Sequence, residues 1–138
     1  MTISSKDLET KSAEELIQWT MDQYGLKAGL ACSFGMEDMV LINMIAKLKG
    51  PITIFTLDTG RLHEETYEIM ERVRSHYGLE IKTYFPDSGQ VEKLVRGKGF
   101  FSFKESIKNR KECCAVRKIE KRENNTKVRW FFFINSNL

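Results

Sequence analysis

Three short β-prone runs, Gly29–Phe34, Ile52–Leu57 and Glu80–Phe85, each stand between segments with helical periodicity. That alternation restricts the fold more than any other feature of the chain. Parallel strands cannot be joined by tight hairpins and need crossover connections of about a dozen residues or more, usually helical. Strand–helix alternation therefore predicts right-handed βαβ units and an α/β fold, a parallel sheet with helices on both faces. In such sheets ligands lie outside the carboxyl ends of the strands. Two loops occupy those ends here, residues 33–38 and 58–61.

Local signals set the helical segments. Ser12 followed by Glu15 is a capping-box pattern, opening a helix that runs to about Gln23 before Gly25. Glu37 and Asp38 begin a second, with acids where the helix dipole favours them. Its residues Met39 to Leu48 are apolar nearly all round, which predicts burial on more than one side. Leu62 to Tyr77 forms a third, with Ile69, Met70, Val73 and Tyr77 near one face and Gly78 as its stop. Pro86-Asp87-Ser88-Gly89 reads as a turn, and the chain from Val91 onward as basic, loop-like and short-helical.

At 138 residues there is room for one ordinary domain. A hydrophobic share of 41% with 30% charged residues is the balance of a globular protein. The net charge of +3 favours an anionic small ligand without making a nucleic-acid footprint, so no nucleic-acid partner is expected. Neither a signal-peptide pattern at Met1–Lys11 nor an apolar run of membrane-spanning length is present, so no membrane is expected and the cytoplasm is the expected location. Three cysteines, two of them adjacent, do not form a disulfide framework; clustered thiols in this setting suggest metal or redox chemistry.

The first loop, Ser33-Phe34-Gly35-Met36-Glu37-Asp38, puts a hydroxyl and a glycine between a strand and a helix start, where free N–H groups can receive a phosphate or sulfate. A tight strand-to-helix turn capped by Ser33 is the plainer alternative. In the second, Asp58-Thr59-Gly60-Arg61, the carboxylate could accept from a ribose hydroxyl or an adenine amine, and Arg61 could grip an anion by its fork. Its plainer alternative is a loop in which Asp58 or Thr59 caps the next helix. His63 and His76, thirteen residues apart on that helix, lie too far from each other to share a metal. Cys113-Cys114 stands among Lys111, Arg117 and Lys118. Buried structural thiols, a redox dithiol and iron–sulfur ligation all remain open for the pair, and the cations would offset a cluster's charge.

Taken in order, Ser-Phe-Gly-x-Glu-Asp, Leu-Asp-Thr-Gly-Arg and Cys-Cys-x-x-Arg-Lys resemble the assimilatory sulfonucleotide reductases, which act on adenylyl sulfate or phosphoadenylyl sulfate. The resemblance spans Gly29 to Glu120 and implies the adenine-nucleotide α-hydrolase-like (PP-loop) fold, with residues 1–120 as an incomplete nucleotide-binding domain. It further implies that Ser33, Gly35, Asp58, Thr59, Gly60 and Arg61 surround the nucleotide. Cys113 and Cys114 would be two of four ligands to a 4Fe-4S cluster. Lys118 would be the catalytic cation between cluster and sulfate. In the family a further cysteine attacks the sulfur, AMP or adenosine 3′,5′-bisphosphate leaves, and thioredoxin or a similar thiol donor releases sulfite.

After Glu120 the resemblance stops: Lys121-Arg122 stands where the family has Pro-Leu, and residues 121–138 form an atypical tail. Two cluster ligands and the nucleophilic cysteine have no counterpart, so the expectation is a shortened or altered chain that is inactive alone. Cys32, in a strand, is expected to be a core residue. Two rival readings are a non-catalytic nucleotide-binding fragment, or half of a split reductase, and an ATP pyrophosphatase-type enzyme on the same fold. For the split enzyme, the apolar cluster Trp130–Ile134 would be covered by a complementing chain or a second copy.

Overall fold

The computed structural model describes residues 5–119 and 132–133. A short helix α1 (Ser5–Glu9) leads into α2 (Ala13–Tyr24), then β1 (Ala28–Ala31), α3 (Met36–Leu48), β2 (Thr53–Leu57), α4 (Glu64–Tyr77), β3 (Ile81–Tyr84), α5 (Ser88–Lys98), α6 (Ile107–Cys114) and β4 (Phe132–Phe133). A π-helical turn, Ala115–Ile119, continues α6 directly. No helix among the described residues is long and apolar enough to cross a membrane.

The predicted parallel sheet is present: four strands in the order β3-β2-β1-β4, all described pairings parallel. Gly29 pairs with Thr53, Ile54 with Ile81 and Ala28 with Phe132. The two crossovers β1–α3–β2 and β2–α4–β3 step the same way along the sheet, so right-handed connections put α3 and α4 on one face. That face holds the main core, in which Leu30 and Ile54 meet Ile17 and Met21 of α2, Ile42 and Ile45 of α3, and Val73 of α4. Phe55 points to the opposite face and is also buried, edge-to-face with Tyr84 at 6.1 Å. Gly50, just before β2, leaves room for the buried Met21: a Cβ there would meet its sulfur at 2.0 Å and that side chain would have to move.

Four sequence expectations shift, each for a local reason. The first strand ends at Ala31 instead of Phe34, because Phe34 turns to a left-handed φ of 63° and Ser33 gives its N–H to Asp38. Helix α3 is buried along Ile42 and Ile45, but Val40 is 54% and Met36 85% exposed, so its apolar circumference is not matched by burial all round. Helix α4 starts at Glu64, capped by the His63 backbone, not at Leu62. The expected turn at 86–89 is instead the start of α5, because the Asp87 carboxylate accepts the Gln90 N–H and caps it. In contrast, the Ser12–Glu15 capping box forms as expected, with both reciprocal bonds. Phe132–Phe133 of the terminal apolar cluster extends the sheet beside β1, whereas Trp130, Phe131 and Ile134 lie outside the described residues.

Candidate functional site

Strand order turns back on itself between β1 and β4, since the chain moves from β1 outward to β3 and then returns to β1's other side. At such a switch point the loops leaving the carboxyl ends diverge and open a crevice. The loop after β1 lies there, and the loop after β2 is its neighbour, because Cys32 N–H still donates to Phe55 O at 2.8 Å across the two strand ends. The two sequence-predicted loops are therefore brought to the same edge of the sheet.

The first loop is organised by Asp38. Its Oδ2 accepts from both the backbone N–H and the hydroxyl of Ser33, at 2.7 and 2.9 Å, and the residue is buried. Ser33 is thus turned back onto the helix start rather than capping it; the cap is Gly35, which uses no side-chain bond. Met39 N–H makes the first intrahelical bond, to Gly35 O, which leaves the preceding amides of α3 available at its positive end. A Cβ on Gly35 would meet Glu37 Oε2 at 3.3 Å and Ser33 Oγ at 3.9 Å, so a larger residue would crowd this mouth.

The second loop is held from within. Asp58 is buried, and its Oδ1 accepts from Gly60 N–H at 2.7 Å and from the Tyr67 hydroxyl at 2.9 Å. Desolvation first, and then the Asp58 bond and charge, raise the Tyr67 phenol above its ordinary range. Thr59 Oγ1 accepts the Arg61 N–H at 3.2 Å, and Gly60 takes a φ of 74° that favours glycine. Neither Asp58 nor Thr59 caps α4, whose cap is His63. Arg61 is directed away along the surface: its Nη2 donates to Phe100 O, and its guanidinium lies 4.8 Å from the Phe103 ring and 5.6 Å from Phe101. Lys104 stands over Phe101 as well, at 4.8 Å.

The cysteine pair closes α6. Cys113 is half-buried and Cys114 exposed, both as free thiols, and Lys118 is exposed on the following turn. Arg117, in contrast, reaches 58 residues back along the sequence and donates from Nη1 to Thr59 O at 2.6 Å. The sequence reading gave Arg117 only a share in charge compensation and missed this bond. It also missed Asp38 and Tyr67 as the groups that shape the loops. A carboxylate just inside α3 and a tyrosine on α4 were the available signals, but neither spacing shows which way the chain folds back.

Cys32 behaves as the expected core thiol. It is buried, and desolvation, outweighing a lowering bond from Phe34 and assisted by the nearby Asp38, pushes its thiol up from 9.0 to about 12. A neutral thiol in the folded chain that ionises in the unfolded one adds stability fully present below pH 9.0 and lost progressively toward pH 12. Alkylation at pH 8 under native conditions should therefore label Cys113 and Cys114, and should reach Cys32 only after denaturant is added, as read by peptide mass spectrometry. Native labelling of Cys32 at a rate like that of Cys114 would contradict this burial.

A parallel sheet packed against helices, with two polar loops at its carboxyl edge, is the architecture of the adenine-nucleotide α-hydrolase-like class. Residues 27–132 match the phosphoadenosine phosphosulfate reductase domain, and the chain belongs to that family. It is 44% identical over 115 residues to 5′-adenylylsulfate reductase 1, chloroplastic, of Arabidopsis thaliana, covering 83% of this chain and 24% of that protein. It is 40% identical over 116 residues to adenosine 5′-phosphosulfate reductase of Pseudomonas aeruginosa, covering 84% of this chain and 42% of the relative. The chain thus spans less than half the length of these relatives. Phosphoadenylyl-sulfate reductase of Candida auris, solved as a phosphate complex, superposes with a TM-score of 0.75 at 21% identity over 92% of this chain and 64% of that one; this likeness concerns the fold.

Proposed function

We propose that this chain carries the nucleotide-binding half of a sulfonucleotide reductase site, with adenylyl sulfate as its ligand. The observation that carries this reading is the Arg117–Thr59 bond, which draws the Cys113–Cys114 pair to the same sheet edge as both loops. Three independent sequence segments then face one crevice. The choice of adenylyl sulfate over phosphoadenylyl sulfate is favoured by relatives of 40% identity or more that are named for the former.

In this proposal the open amides at the start of α3 and the clearance at Gly35 receive the phosphosulfate end; for the Ser33 hydroxyl to donate to it as well, its proton must leave Asp38. Asp58 holds its loop closed with Oδ1, so its part in recognition is first to fix the Thr59–Gly60 backbone beside the nucleotide. Lys118, exposed on the turn after the cysteines, supplies a cation for the sulfate charge. For Arg61 to grip the anion it must leave the Phe100 carbonyl and the two aromatic rings.

The residues fit one side of an iron–sulfur cluster. Cys113 and Cys114 would hold it, and the buried Arg117 Nε–H, which has no acceptor, suits an anionic neighbour. Among the described residues no group of three or more Cys, His, Asp or Glu is placed to hold a metal. When bound, the cluster would supply a fixed electrostatic environment beside the sulfate. The chain has three cysteines, of which Cys32 is buried and neutral and the other two are these ligands, so no thiol remains as nucleophile. The polypeptide alone is therefore expected to bind adenylyl sulfate without turning it over.

Titration calorimetry with adenylyl sulfate, followed by a sulfite assay with thioredoxin, tests both halves. Binding without sulfite is the expected result. No binding would overturn the nucleotide reading, and sulfite from this polypeptide alone would overturn the expected inactivity. A complementing chain that brings both a further Cys-x-x-Cys pair and a nucleophilic cysteine would restore turnover.

A further inference from the structure

We propose that Arg117 is a positioning residue that couples the Asp58–Arg61 loop to the Cys113–Cys114 pair through a single peptide unit. The inference rests on the reading of that loop as nucleotide-binding, and adds a route by which the ligand is felt at the thiols. The Thr59 carbonyl and the Gly60 N–H belong to the same peptide plane. Arg117 Nη1 holds its oxygen at 2.6 Å, and Asp58 Oδ1 holds its hydrogen side at 2.7 Å. Rotation of that plane would break both bonds together, so they are kept or lost as one unit. Gly60, at a φ of 74°, is the residue type that could follow such a rotation.

Arg117 is rigidly joined to the cysteines. It lies in the π-helical turn that continues α6 without a break, and Ala115 N–H caps α6 on Glu112 O and Lys111 O. Glu112 is in turn tied to Lys98 of α5, which fixes the far side of α6. The guanidinium lies beside the loop, so that a Cβ on Gly60 would be in ordinary contact with Nη1, at 3.5 Å. Its Nε–H is buried and unpaired, so the side chain can turn toward a new acceptor at little further loss of bonds. A nucleotide that draws on Asp58 or rotates the Thr59–Gly60 peptide would release Arg117 and shift the turn carrying the thiols.

A double-mutant cycle on the 138-residue chain tests this, with the alkylation rates of Cys113 and Cys114 as the readout and circular dichroism to verify folding. Gly60→Ala disfavours the left-handed φ and should change those rates about 5-fold or more in the native background, the lower end of ordinary site-to-site coupling. In an Arg117→Lys background, which keeps the charge and loses the fork, the same change should fall below about 2-fold. Arg117→Gln serves as the second background and should behave likewise. An equal Gly60→Ala effect in native and Arg117→Lys chains, or none in the native chain, overturns the coupling. Adding adenylyl sulfate gives a separate arm: it should alter thiol labelling in the native chain but not in Arg117→Lys. Coupling in the mutant cycle with no calorimetric binding of adenylyl sulfate would overturn the nucleotide reading while leaving the Arg117 link standing.

Discussion

Asp58→Ala is expected to abolish adenylyl-sulfate binding and to cost about 3 kcal/mol of folding stability. Two donors depend on its Oδ1, the Gly60 N–H and the Tyr67 hydroxyl, and hydrogen bonds to a charged acceptor contribute about 1.5–3 kcal/mol each. Both donors reach water in part, since Gly60 is exposed and Tyr67 is 40% exposed, which brings the sum to the lower end. For a chain of this size the loss corresponds to a fall in Tm of about 10 °C. Asp58→Asn keeps an acceptor oxygen and removes the charge, so it should lose only about 1 kcal/mol. The Tyr67 phenol should titrate lower in Asp58→Ala, although burial, the larger cause of its upward shift, remains. Denaturant unfolding of the three proteins checks the order. An Asp58→Ala chain that unfolds within about 0.5 kcal/mol of native and still binds the nucleotide would show that Asp58 neither builds nor serves the site.

Asp58 and Arg61 stand in one loop, yet only the place of that loop is legible in the sequence and not where the Arg61 side chain goes. Strand–helix alternation and the glycines that punctuate it made the parallel sheet legible, because burial on both faces and crossover length are local demands on composition. Both polar loops follow strands directly, which puts them at the carboxyl edge. Legibility ends where a side chain can choose among partners distant in sequence. Arg61 lies in a loop correctly expected at the sheet edge, yet its guanidinium is taken by Phe100, Phe101 and Phe103, about forty positions on. Arg117 was visible as a cation next to the cysteines, and only the folded chain shows it on Thr59. Ser33 was visible as a cap candidate, but a buried carboxylate five residues later competes for both of its donors and wins. The boundary errors at Phe34 and at Asp87 have the same origin: a side chain–backbone bond replaced the regular structure that propensity favoured.

Asp38→Ala should lower stability by about 3 kcal/mol and loosen the first loop selectively. Phe34 is held at a φ of 63°, a left-handed conformation that costs a non-glycine residue about 1–2 kcal/mol. Two things offset that cost. The ring of Phe34 is buried in the main core, and the two bonds from Ser33 to Asp38 Oδ2 fix the backbone immediately before it. Removing the carboxylate takes away the second and also deletes an acid from the first turn of α3, worth about 0.3–1 kcal/mol there. Asp38→Asn retains an acceptor for Ser33 and should lose about 1 kcal/mol. Hydrogen exchange at the Ser33 amide gives the local readout, and Cys32 gives the control. Asp38 adds to the upward shift of the Cys32 thiol, but desolvation is the largest cause, so Cys32 should stay nearly unreactive at pH 8 in Asp38→Ala. Fast Ser33 exchange with a protected Cys32 means that the loop has opened over an intact sheet. Fast labelling of Cys32 as well would mean that Asp38 supports the core itself, and unchanged Ser33 exchange would mean that the Phe34 ring alone holds the turn.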